Sequence, residues 1–242
     1  MFSFLYHNIV FDPLYNGLIF LMDIFPWMDA GIAVIIFTIV IRLILFPLSK
    51  KAIVTQVRMR ELEPELRKIR ETLKDDKQAQ ALKTMALYKE KKVSPFSSFF
   101  VLLIQLPIIY ALYSIFMNAG LPEVNADLLY SFVKIPVVDM NFLGIVNIGT
   151  SNIILALIAA ATQYFQLHYS LSSTPPPDST KGSQADMAYN MTKNMKYVFP
   201  VVVFIISYSI SAVVPIYWAI SSLFTLGQEL VVRRHLAKHQ PL

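Results

Sequence analysis

Gly31–Ser49 reads GIAVIIFTIVIRLILFPLS. It is apolar over the length that one bilayer-spanning helix needs, about 20 residues at roughly 1.5 Å each. Arg42 stands inside this run, and no carboxylate accompanies it. A guanidinium on a spanning helix costs roughly 2.5–3.5 kcal/mol even on lenient insertion scales, so it persists where it faces protein or a water-filled cavity. Thr38 lies one turn before Arg42 on the same helix face. The run therefore predicts a positive polar stripe inside a membrane, on an all-α polytopic protein.

Composition agrees. Of 242 residues, 55% are hydrophobic and 15% charged, against about 25% charged in an ordinary soluble domain. Mean hydropathy is +0.53. The sequence has no cysteine, which excludes disulfides, thiolate metal sites, cysteine nucleophiles and an acylated cysteine. No Lys or Arg precedes Arg42, so residues 1–30 do not read as a secretory signal, which opens on basic residues. No Gly-x-Gly-x-x-Gly, Walker or His-Glu-x-x-His pattern occurs. The four histidines, His7, His168, His235 and His239, are scattered, so neither metal nor cofactor is expected. Asn190-Met191-Thr192 matches the glycosylation tripeptide by chance, given the cytosolic side to which it is assigned below.

Residues 1–30 carry Leu14, Leu18, Leu21 and Phe25 at helical spacing, with Trp27 suited to a membrane–water boundary. They read as an amphipathic helix on the outer interface; the alternative, a first span, is opposed by Asp12-Pro13 and Asp23. Residues 31–49 form transmembrane segment 1. Residues 50–94 hold 13 Lys/Arg and 7 Asp/Glu. Ile53, Val57, Leu62, Leu66, Ile69 and Leu73, then Leu82, Met85 and Tyr88, follow helical spacing on either side of a Lys74–Lys77 turn. This predicts an antiparallel helical hairpin outside the membrane, its first arm kinked at Pro64. Such a hairpin serves either as a solvated structural element or as a binding one.

Transmembrane segment 2 (96–117) carries Gln105 and Pro107, and an external loop (118–149) follows. Within that loop Leu128–Val137 is apolar but too short to cross. Segment 3 (152–168) carries Thr162, Gln163 and Gln166. A Pro/Ser/Thr-rich loop (171–190) is expected to lack regular structure. Segments 4 (196–210) and 5 (215–232) pair through Ser211–Val214, and a basic tail (233–242) closes the chain. Nineteen of the 21 Lys and Arg fall on one side of this five-span arrangement: thirteen in the hairpin, Lys181, Lys193 and Lys196 at the Pro-rich loop, and Arg233, Arg234 and Lys238 in the tail. Lys134 and six carboxylates, Asp12 to Asp139, lie on the other. By the positive-inside rule the N-terminus is outside and the C-terminus cytosolic.

Arg42 is seven residues from Ser49, about 10 Å from the cytosolic end of its helix. It either faces a hydrated cavity in the inner leaflet or snorkels to the interface; seven residues is at the limit of snorkelling and favours the cavity. Gln163 and Gln166, one turn apart, are placed to share it. Gln105 beside Pro107 reads as a helix–helix hydrogen bond, and Tyr217 and Trp218 as packing aromatics. A basic cavity without a nucleophile–base pair is not an enzyme's. It is a surface that lowers the cost of polar or acidic groups inside a bilayer, since low dielectric strengthens attraction to Arg42.

The order and spacing of several pieces carry a family resemblance: TIVIRLILFPLS with Arg42, KDDKQ (Lys74–Gln78), ALYKEKKVSPFSS (Ala86–Ser98), LLIQLPIIYALY (Leu102–Tyr113), AAATQYFQ (Ala159–Gln166), then KYVFP, IYW and LGQELVVRR. The chain resembles the YidC-type membrane protein insertases, with their mitochondrial and chloroplast relatives. The resemblance implies five helices around a hydrophilic groove open to the cytosol and to lipid, in the cell (inner or plasma) membrane. It places Arg42, Thr38, Gln166 and Trp218, beside Tyr217, in that groove. It implies that the hairpin meets incoming chains, that spans two and five offer an apolar slide, and that the basic tail (Arg233, Arg234, Lys238) meets the ribosome. Some members work beside the Sec translocon. Ser209–Trp218 (SISAVVPIYW) departs from the family's usual Phe-Pro-x-Gly-Leu pattern before the last span.

The function expected on these grounds is insertion of nascent membrane proteins into the lipid bilayer without ATP. The rivals are a small solute or ion transporter, opposed by the lack of repeats and of paired intramembrane acids, and an assembly scaffold.

Overall fold

A computed structural model of the chain describes the backbone of residues 4, 6–74, 76–93, 97–118, 121–171 and 184–239; the side chains of 60, 77, 97–104, 184–193 and 239 lie outside that description. The described chain is mostly helical. Its contacts divide it into two units, Met1–Ile44 with Ile104–Gly227, and Leu45–Leu103 with Gln228–Leu242.

In the first unit a π-helical turn, His7–Phe11, runs into α1, Asp12–Ile24, with Pro13 at the junction. Tyr15, Leu18, Ile19 and Met22 make the buried stripe. The stripe is rotated from the expected Leu14–Leu18–Leu21–Phe25, and polar anchors explain why. Asn16 accepts from the Tyr130 amide at 2.6 Å and donates to the Leu128 carbonyl at 2.9 Å, and the Tyr15 hydroxyl accepts from the Asn125 amide at 2.9 Å. Residues 125–130 are thereby docked on α1.

Helix α2, Ala30–Ile44, is capped by Asp29, whose Oδ1 accepts from the Ile32 amide at 2.8 Å. Ala30, Ala33, Val34, Phe37, Thr38 and Ile41 are buried, whereas Ile39, Val40, Leu43 and Ile44 are exposed although apolar. Gly31 is required by a close approach: a methyl there would overlap the Phe142 ring. Phe142 belongs to a two-stranded ribbon, β1 Asn141–Phe142 against β2 Val146–Asn147, with Asn141 opposite Asn147.

The apolar run that opens at Gly31 is not one helix. It breaks at Leu45, and α3, Phe46–Glu61, begins after it. Pro47 supplies the reason: in a continuous helix its ring would clash with the Leu43 carbonyl and leave that carbonyl without an amide.

The second unit continues with α4, Glu63–Thr72, and α5, Lys77–Glu90. Pro64 stands in the first turn of α4, so the expected kink is a full break at Leu62. Asp76 caps α5 by accepting from the Ala79 amide at 2.9 Å. Leu62, Leu66, Leu87 and Val93 form a core with Met59, Ile69 and Tyr88 against it. Burial raises the Tyr88 phenol above its usual range, Arg70 opposes that and Glu63 adds to it. Surface pairs, Arg70–Glu63 at 2.8 Å and Lys91–Glu65 at 3.4 Å, flank the core and contribute little each.

Helix α6, Ser97–Met117, contains Pro107. After the loop that carries the ribbon, Asn152 Oδ1 caps α7, Ile153–Leu171, through the Ile154 and Leu155 amides. Helix α8 is Gln184–Ser209 and α9 is Val213–His239. Residues 172–183 of the expected Pro-rich loop, with Lys181, lie outside the described residues. From Gln184 onward its last part is helix: the stretch to Asn190 holds neither Gly nor Pro. The basic tail is likewise helical as far as His239. Helices α7 and α8 pack along each other, and Ala159, Val203 and Ala219 share a core with Phe199 and Trp218.

Among the described residues no single helix is long and apolar enough to cross a membrane; the broken pair Ala30–Ile44 and Phe46–Met59 reaches that standard together. Polar residues dilute α7 and α9. Thr162, Gln163 and Gln166 interrupt α7, and Ser221, Ser222, Gln228 and Glu229 interrupt α9.

Candidate functional site

Buried polar groups need partners, and following theirs builds the site. On α2, Arg42 is partly buried and its Nη2 donates to Gln105 Oε1 of α6 at 2.8 Å. Gln105 Nε2 donates onward to the Tyr217 hydroxyl of α9 at 2.7 Å. Three helices are thus joined by one cation, one amide and one phenol. Arg42 Nε is buried without a hydrogen-bond partner, and no carboxylate pairs with Arg42 among the described residues.

A second cluster joins α7 to α9. Gln163 Oε1 accepts from Trp218 Nε1 at 2.8 Å and from the Ser222 hydroxyl at 3.1 Å, while its Nε2 donates to Gln166 Oε1 at 2.8 Å. Tyr217 and Trp218 are consecutive, so their side chains leave α9 about 100° apart; one serves each cluster. Tyr217 is 1% exposed, and Trp218 packs on Phe199 with ring centroids 6.2 Å apart.

Of the residues expected in the site, Arg42 and Tyr217 are thus brought together through Gln105, and Gln163, Gln166 and Trp218 directly. Thr38 is on Arg42's face but fully buried, its hydroxyl turned to its own helix at the Val34 carbonyl, 2.6 Å away. Two members of the clusters are additional to the residues expected in the site. Gln105 was read as a helix–helix hydrogen bond, which it makes, but it is also the partner of Arg42. Ser222 carried no signal beyond lying four residues after Trp218 on the same helix face.

At the end of α9, Glu229 is buried and ion-paired with Arg233, while Gln228 Nε2 donates to Ser49 Oγ at 3.0 Å and to the Phe46 carbonyl at 3.2 Å. Arg234 and Lys238 are exposed, so only two of the three basic tail residues are free of this pairing.

The helices thus bury two hydrogen-bonded polar clusters, one of them holding a cation, between apolar faces. The chain belongs to the 60Kd inner membrane protein family, whose model matches residues 20–239. It is 34% identical over 215 residues to the protein of Clostridium tetani named membrane protein insertase YidC, covering 88% of this chain and 86% of that one. The protein of the same name from Fusobacterium nucleatum is 31% identical over 204 residues, 84% of this chain and 86% of its own length. A longer relative of that name from Tolumonas auensis is 28% identical over 227 residues, which are 94% of this chain and 36% of that protein.

Proposed function

We propose that the chain works as its relatives are named, as a membrane protein insertase of the inner cell membrane, and that Arg42 is the group that receives the polar part of an incoming chain. One observation supports this reading above others: the guanidinium of Arg42 is held by a neutral amide and keeps an unpartnered Nε. A carboxylate in reach would satisfy that nitrogen, in a surrounding where charge attraction exceeds its value in water.

In this reading five spans enclose a groove open to the cytosol and lined by Arg42, Thr38, Gln163, Gln166, Tyr217 and Trp218. The N-terminus is outside and the hairpin cytosolic. A nascent segment meets the groove from the cytosolic side, and its polar tail is held near Arg42, which shortens its path across hydrocarbon. Its apolar segment slides along the second and fifth spans into lipid, where burial of apolar surface at roughly 25 cal/mol per Å² drives release. No ATP enters. The exposed Arg234 and Lys238 suit a polyanionic partner such as the ribosome, and the Sec translocon is a candidate neighbour.

The test is reconstitution into liposomes with an in-vitro-translated single-span substrate. Protease-protected, carbonate-resistant substrate is expected with the protein and not with empty liposomes; substrate-dependent current or solute uptake without insertion would replace this reading by a transporter.

A further inference from the structure

The ribbon that packs on α2 has an unusual tip. Leu143 and Gly144 both take positive φ, 54° and 70°. Turns that require two such residues favour Asn-Gly, Asp-Gly or Gly-Gly, and a bulky apolar residue there is an outlier. Leucine is nonetheless present, its side chain 60% exposed, and Ile145 beside it is 82% exposed. A turn in water gains nothing from that choice. The carboxylates near the ribbon are engaged by its backbone: Asp139 accepts from the Asn141 amide at 2.9 Å, and Asp29 Oδ2 accepts from the Leu143 amide at 3.0 Å. The tip is apolar, free of charge and held out by its base.

The same hydrogen bonds fix its level. Asp29 immediately precedes α2, and the Ala30 amide donates to the Asp139 carbonyl at 2.8 Å. Leu143 therefore stands level with the first turn of α2, which is the outer membrane boundary if α2 crosses as proposed above. Trp27, 74% exposed, marks the same end of the helix, and tryptophan is a residue of membrane–water boundaries.

We infer that Leu143 and Ile145 dip into the outer leaflet of the lipid bilayer as an apolar peg, a membrane contact made by the external loop. The peg is tied to Asp29 and Ala30, so it also holds the register of α2. Arg42 lies twelve residues beyond Ala30, about 18 Å along the helix, and the peg thereby helps to set the depth of the guanidinium.

The inference rests on α2 crossing the membrane, and one experiment separates the two. The chain lacks cysteine, so single nitroxide labels can be placed at Ile145→Cys, at Asn147→Cys on the base of the ribbon, and at Val40→Cys on the exposed apolar side of α2. Collision with oxygen, which partitions into lipid, is compared with collision with a water-soluble nickel chelate in vesicles of phosphatidylethanolamine and phosphatidylglycerol. The expected result is a several-fold excess of oxygen over nickel at 145 and 40, with the reverse at 147. Lipid exposure at 40 with water exposure at 145 overturns the peg and leaves the span standing. Water exposure at both overturns both. Protection of 145 from both reagents overturns it in favour of a protein partner. A second variant controls for turn strain. Leu143→Asn suits the positive φ and preserves the fold, yet it should shift the label at 40 toward water; no shift means the tip does not set the register.

Discussion

Arg42 donates from Nη2 to Oε1 of Gln105 at 2.8 Å, so an amide rather than a carboxylate holds the guanidinium. The difference is functional in the proposed reading. A carboxylate would cancel the charge, whereas an amide fixes its position and leaves it able to attract an anion.

Gln105→Glu tests that distinction. The variant keeps size and geometry and supplies an ion pair, so the fold should be at least as stable in detergent, while insertion of substrates with acidic tails falls sharply. Gln105→Leu instead removes a hydrogen bond to a charged group, a loss of about 1.5–3 kcal/mol, read as a lower thermal midpoint. Equal insertion by the Glu variant and the parent would show that the charge of Arg42 is not used.

The second cluster makes a ranking. Gln163→Leu leaves the Trp218 indole N–H and the Ser222 hydroxyl without their acceptor, each a cost of about 1–3 kcal/mol. Trp218→Phe removes one donor and leaves Ser222 on Gln163, so its thermal midpoint should fall less. The opposite order would mean that packing of Trp218 on Phe199 outweighs the polar cluster.

How far these clusters were legible in the sequence follows from where their partners lie. Arg42 announced itself, because a lone charge in an apolar run needs no partner to be noticed. Gln163 and Gln166 were visible as a pair because both sit on one helix at one-turn spacing. Gln105 was seen only as a helix–helix contact, since spacing along its own helix says nothing of a cation arriving from α2 and a phenol from α9. The break at Leu45 is legible in Pro47, although the hydropathy of the run is continuous across it. The ribbon at Asn141–Asn147 left no periodic signal in strands of two residues each.

In the hairpin, Leu66 is 2% exposed within the α4–α5 core. Leu66→Ala should cost about 2–5 kcal/mol and raise the rate of proteolytic cleavage between Lys50 and Lys92. Cleavage unchanged from the parent would show that the two arms do not hold each other through this core.

The topology has a direct readout. Lys83 and Glu123 are both exposed, and single cysteines there should be modified by a membrane-impermeant reagent from opposite faces of sealed vesicles. Modification of both from one face contradicts the five-span arrangement.

The central claim is that the charge of Arg42, rather than its shape, carries substrate tails into the bilayer. It is tested most directly by inserting two substrates that differ only in tail charge, one neutral and one acidic, with Arg42, Arg42→Lys, Arg42→Ala and Arg42→Glu. Lysine keeps a cation but loses the planar fork, so it should retain much of the activity. Alanine should impair the acidic tail well beyond the neutral one, and glutamate should impair it further by like-charge repulsion. Equal impairment of both tails by Arg42→Ala would contradict the claim and make Arg42 a structural tie between α2 and Gln105.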